Sequence, residues 1–101
     1  MEKRTPHYKI MEIQVRVSEL GGNAFTASAL RGIEELGLAL SQALQVIAAL
    51  DRRAFVKSMT TYADHTIWQD VYHAPTPVGL AYVKFTLRDG AVVISFKRKD
   101  S

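Results

Sequence analysis

The sequence contains no cysteine, which excludes disulfides, thiolate zinc sites and a thiol nucleophile. It also lacks any hydrophobic run approaching the length that crosses a bilayer, and Met1 to Pro6 leads into no apolar signal core. A cytoplasmic protein without a membrane segment is therefore expected. Histidine is scarce: His7, His65 and His73 are too scattered for a zinc motif, and no carboxylate stands at the His-Glu-x-x-His spacing. Neither a metal nor a cofactor is expected.

What is present is ordinary for a folded chain. With 101 residues, 48% of them hydrophobic and 23% charged, residues 1–101 suffice for one domain and one core. The net charge of +3 is unevenly distributed. Up to residue 50, Lys3, Arg4, Lys9, Arg16 and Arg31 balance Glu2, Glu12, Glu19, Glu34 and Glu35, so the excess lies in the second half and peaks at Lys97-Arg98-Lys99. Such a bias suits a polyanion such as nucleic acid, and it equally suits a solvated tail.

The first half reads as helices. Thr5-Pro6 predicts a cap and first turn, after which Ile10, Ile13, Val17 and Leu20 recur at helical spacing until Gly21-Gly22. Ile13, Val15 and Val17 also alternate as a strand would. Asn23 to Thr26 reads as a short extended link. Leu30, Ile33 and Leu36 then mark a second helix from Thr26 to Gly37, and Ser41 to Leu50 a third capped by Ser41. Asp51 is placed to cap one further turn.

After Val56 the pattern becomes extended. Lys57 to Tyr62 and Thr66 to His73 are rich in Thr, Tyr, Trp, Ile and Val, with Ala63-Asp64-His65 as a turn. Ala74-Pro75-Thr76-Pro77 is expected to end the second strand, because proline cannot donate to a ladder. Gly79 to Arg88 and Ala91 to Lys99 form a hairpin about Asp89-Gly90. A two-residue loop pairs Leu87 with Val92, Phe85 with Ile94 and Val83 with Phe96 on an apolar face. It pairs Thr86 with Val93, Lys84 with Ser95 and Tyr82 with Lys97 on the other. A lysine beside a tyrosine can stabilise the phenolate, or simply rest its ammonium over the ring.

Taken together, Met1 to His7, Leu36-Gly37-Leu38, Lys57 to Tyr62, Asp64 to Tyr72, Tyr82-Val83-Lys84 and Ser95-Phe96-Lys97 resemble the MqsR family of toxins from bacterial toxin–antitoxin modules, over nearly the whole chain. The resemblance implies an α+β, RelE-like fold with N-terminal helices on one face of a twisted, mainly antiparallel sheet. It implies a ribosome-independent endoribonuclease that cuts mRNA at GC-containing sites such as GCU, and a zinc-containing, DNA-binding MqsA-like antitoxin as partner. The family's functional residues map onto Lys57, Gln69, Tyr82 and Lys97. His7, Met59, His65 and Lys84 are the candidate substrate contacts. Val56 and His73 depart from the pattern, standing where an aromatic and a basic residue occur.

Metal-independent RNA cleavage uses the ribose 2′-hydroxyl as its nucleophile, so the protein must supply only proton transfer and charge stabilisation. Lys57 and Lys97 can hold phosphate oxygens, Tyr82 can move a proton and Gln69 can orient the substrate. An RNA-binding module without cleavage, or a protein that acts only by binding another protein, is the alternative; cleavage of defined RNA in EDTA separates these readings. The shared site also makes a demand on register. A loop of even length after Tyr62 puts Lys57 and Gln69 on opposite faces, whereas an odd loop or a bulge pairs Met59 with Gln69 and Lys57 with Val71, on the face of Tyr82 and Lys97.

Overall fold

The change of periodicity near Val56 divides the structure as it divides the sequence. The computed structural model describes residues 1–100. A short strand, β1 (Glu2–Lys3), precedes the helices α1 (Ile10–Leu20), α2 (Ala27–Glu35) and α3 (Leu40–Ala48), with 3-10 turns at Gly21–Ala24 and Arg52–Ala54. The strands β2 (Phe55–Thr60), β3 (Trp68–Thr76), β4 (Gly79–Phe85) and β5 (Val93–Arg98) follow. They form one sheet in the order β1-β2-β3-β4-β5, each neighbour antiparallel. This is the expected α+β arrangement, with helices against one side of an antiparallel sheet. Among the described residues, no helix is long and apolar enough to cross a membrane.

Alternation along the strands separates the two faces. Tyr72, Ala74, Ala81, Val83, Phe85 and Phe96 are buried and join Ile13, Val17, Ala29, Ile33, Val46 and Ile47 from the helices in one core. In α1 the helical reading prevails over the strand reading, because Ile13 and Val17 turn inward together while Val15 is 57% exposed. In α2 the inward set is Ala29, Gly32 and Ile33, and Leu30 is partly exposed. Gly32 permits a close approach: a Cβ there would lie 1.8 Å from the Phe96 carbonyl oxygen, so α2 rests directly on the backbone of β5. Gln14 ties α1 to the end of α3 by donating to the carbonyls of Ile47 and Leu50, at 3.0 and 2.9 Å.

Several boundaries differ from expectation. Helix α1 does not start at Thr5-Pro6; it starts at Ile10, after Lys9, with no side-chain cap. The segment before it is drawn onto the sheet, where Asp70 accepts the backbone N–H groups of His7 and Tyr8. Helix α3 is capped at Ala39, whose N–H donates to the Gln42 side chain at 2.8 Å, and not at Ser41. Asp51 caps as expected, accepting from the Arg53 N–H, and Thr26, where the second helix was expected to begin, caps it by accepting from the Ala29 N–H. The link after α1 begins as a 3-10 turn, and only its last two residues, Phe25 and Thr26, are extended, with Phe25 bridged to Val93.

Strand β3 runs through Ala74 and Pro75 to Thr76, past the point where the prolines were expected to end it. The missing donor costs nothing there, because β2 stops at Phe55 opposite Tyr72 and leaves that side of β3 without a neighbour. The last hairpin keeps the expected pairs Tyr82 with Lys97, Val83 with Phe96 and Lys84 with Ser95. A bulge then sets Phe85 opposite Val93, not Ile94. Another segment takes up this part of the chain: Val92 N–H donates to Ala24 at 2.8 Å, and Thr26 N–H donates to Val93 at 3.1 Å. Both valines are fully buried as a result.

Candidate active site

The outward face of the sheet follows from the ladders. Lys57 pairs with Val71 and Met59 with Gln69, the register that an odd loop requires. Val71 pairs in turn with Lys84 and His73 with Tyr82, while Lys84 pairs with Ser95 and Tyr82 with Lys97. Cross-strand partners share a face. Lys57, Gln69, Tyr82 and Lys97 therefore lie on one face, with Met59 and Lys84 among them.

His7 and His65 lie elsewhere. His7 stacks on the Trp68 ring with centroids 5.1 Å apart, and Lys3 Nζ is 3.0 Å from its Nδ1. Trp68 alternates with Gln69 on β3, so this cluster belongs to the opposite side of the sheet. Burial and the Lys3 charge hold the His7 imidazole below its ordinary value, with Asp70 opposing. His65 lies in the loop after β2 and lines a cleft of about 420 Å³ with Met1, Glu2, Met59 and Tyr62, at one border of the outward face. Near the other border, a cleft of about 320 Å³ is lined by His73, Pro75, Arg53 and Leu50, where the edge of β3 is left open.

The lysines are not equivalent. Burial lowers the Lys84 ammonium below its ordinary value, and the Lys97 and Lys57 charges lower it further. That central position favours an anion, since a bound phosphate would relieve the repulsion among the lysines. Lys97 lies over the Tyr82 ring, 5.3 Å from its centroid. Of the two arrangements that the sequence allows for this pair, the contact is the cation over the ring. Val71 faces outward yet is fully buried. It lies between Lys57 and Lys84, whose aliphatic stems can cover apolar surface while their charged ends reach water.

Two acidic residues outside the sequence-based site organise it. Glu2 pairs with Met59, so it joins the outward face, and its carboxylate accepts from Lys57 Nζ at 2.7 Å. This hydrogen bond and the Lys57 charge hold the Glu2 carboxyl below its ordinary range. A two-residue strand has no periodicity to detect, and Thr5-Pro6 pointed to a helix start instead. Asp70 is fully buried on the inner face, where it accepts the Ser58 hydroxyl at 2.6 Å and the His7 and Tyr8 N–H groups at 3.2 and 3.0 Å. The register that pairs Met59 with Gln69 also sets Ser58 opposite Asp70, so this contact was implicit in the sequence argument.

Residues 5–98 match the family described as motility quorum-sensing regulator, toxin of MqsA. The chain is also similar to a protein of Escherichia coli (strain K12) named mRNA interferase toxin MqsR, with 44% identity over 99 residues covering 98% of this chain and 100% of that protein.

Proposed function

This chain belongs to the MqsR toxin family, and from that premise we propose that it is an endoribonuclease toxin that cuts mRNA at GC-containing, GCU-like sites without a metal. The observation that carries the reading is the shared outward face of Lys57, Gln69, Tyr82 and Lys97, with Lys84 at its centre. The 2′-hydroxyl beside the scissile phosphate is the nucleophile. Lys57 and Lys97 hold phosphate oxygens and stabilise the charge that builds on them at the transition state. Tyr82 moves a proton, Gln69 orients the phosphate or ribose, and Met59 and Lys84 contact the strand. His65 reaches the substrate from its loop. His7, on the other side of the sheet, contacts a part of the strand that has passed the edge. The partner is a cognate MqsA-like antitoxin, zinc-containing and DNA-binding.

The test is cleavage of a defined GCU-containing RNA in EDTA. The parent protein should cut it and leave a cyclic phosphate or a phosphate on the 3′ side. Lys57→Ala and Tyr82→Phe should each slow the reaction by roughly 100-fold, the usual worth of a positioned proton-transfer or charge-stabilising group. Rates within about threefold of the parent for both variants would remove the assignment.

A further inference from the structure

We propose that Glu2 is the general base of the cleavage, taking the proton of the ribose 2′-hydroxyl on the nucleotide that precedes the cut. The inference rests on the RNA-cleaving reading above and adds a residue to which that reading gives no role. Pairing of Glu2 with Met59 brings its carboxylate to the outward face. The other titratable side chains that the strands direct there are Lys57, His73, Tyr82, Lys84 and Lys97. Lysine and tyrosine ordinarily carry their protons at neutral pH and so are donors, whereas a glutamate is ready to accept. His73 also can accept, but it lies beside Tyr82, with ring centroids 6.3 Å apart, at the far border from Glu2.

The surroundings of Glu2 suit the role. Lys57 Nζ, 2.7 Å away, can hold the carboxylate and a phosphate oxygen together. Lys57, Arg4 and the amino terminus all favour the ionised carboxylate, the form that accepts a proton, and sharing Lys57 with a phosphate oxygen weakens that hold and restores basicity when RNA is bound. The cleft beside it, about 420 Å³ and lined by Met59, Tyr62 and His65, is of a size that holds a small ligand such as a nucleoside. Strand β1 is held in place by the Met1 amino group on Thr60 Oγ1 at 3.0 Å and by the Asp70 contacts to His7 and Tyr8. The exposed carboxylate thus sits on an anchored backbone.

Glu2 on β1 and Tyr82 on β4 lie on opposite sides of Lys57 and Gln69; three strand spacings, about 14 Å, and a four-residue offset along the strands, about 13 Å, set their backbones on the order of 20 Å apart. Two long side chains reaching inward leave room for a phosphate between them. The 2′-hydroxyl proton passes to Glu2, the 2′-oxygen forms a bond to phosphorus, and the bond from phosphorus to the 5′-oxygen breaks. The departing oxygen takes the Tyr82 proton. The products are a 2′,3′-cyclic phosphate and a 5′-hydroxyl, and water returns the proton from Glu2 to Tyr82.

Glu2→Gln keeps the shape of an exposed side chain and should fold as the parent does. Its kcat on a GCU-containing RNA should fall by about 100-fold or more. Its affinity for the same RNA carrying a 2′-deoxyribose at the cut should be unchanged or tighter, because a negative charge has been removed. Three results would overturn the proposal: a rate within threefold of the parent; a faster rate, which would make Glu2 a mask on Lys57; and parallel loss of rate and affinity, which would make it only a support for Lys57. A parent protein that binds the deoxy-substituted RNA but never cuts the natural one would overturn the RNA-cleaving reading itself, a distinct outcome.

Discussion

Lys84 shows how stability and function oppose each other at a single side chain. Its ammonium is held below the ordinary value of 10.5 by burial first, then by Lys97 and Lys57. Protonation is therefore less favourable in the folded chain than in the unfolded one, and the folded state bears that cost at every pH below the lowered value. The cost disappears as the pH rises toward 10.5. Lys84→Met keeps the stem and removes the charge, so it should raise Tm at pH 7 by a few degrees at most, given the solvent screening of a half-exposed group. It should also slow RNA cleavage. Thermal denaturation at pH 7 and at pH 11 checks the sign, since the gain should fade at the higher pH. Lys84 was legible in the sequence, because alternation and the Tyr82–Lys97 pairing place it on the outward face. Glu2 was not, because its position depends on a strand too short to have a pattern.

At the scale of elements, the contact of α2 with β5 limits change most sharply. A methyl group at Gly32 would meet the Phe96 carbonyl oxygen at 1.8 Å, and that obstacle is backbone, unable to rotate away. Gly32→Ala raises intrinsic helix propensity by about 1 kcal/mol. Displacing a strand from a closely packed helix costs more, typically 1 to 3 kcal/mol and sometimes beyond. A clash this deep against backbone puts the cost in the upper part of that range, so the net expectation is a loss of roughly 1 to 2 kcal/mol and a Tm lower by roughly 5 to 15 °C. Cleavage should also weaken, because Lys97 follows Phe96 directly. Thermal denaturation and a rate measurement below the lowered Tm check both parts. Element types were readable from periodicity, whereas several ends were not: Asp70 draws residues 7 and 8 onto the sheet, and the Ala24–Thr26 segment pairs with Val92 and Val93.

For the whole molecule, the basic excess is arranged by the sheet. Lys57, Lys84 and Lys97 are far apart in sequence, yet they project from β2, β4 and β5 on one face, with Glu2 as the carboxylate beside them. If these three lysines each neutralise one phosphate, the logarithm of RNA affinity should fall with the logarithm of salt concentration with a slope of about −2. Lys84→Met should reduce the slope by about 0.7. Titrations of a non-cleavable RNA across salt concentrations measure both values. A slope that Lys84→Met leaves unchanged would show that Lys84 makes no phosphate contact.

By itself the sequence determined the α+β class, the helical first half and extended second half, and the family. It also determined that Lys57 and Gln69 share a face only if the loop between their strands has odd length or a bulge shifts the register. These properties depend on side-chain periodicity and on residue identities at short range. The tertiary structure decided what depends on contacts between distant segments: the β1 strand that brings Glu2 to Lys57, the burial of Asp70 against His7, Tyr8 and Ser58, and the bulge that turns Val93 inward. It also selected the odd register that the shared site requires. The physical reason is that strand pairing joins residues with no local relation, and only the closed sheet specifies which of them meet.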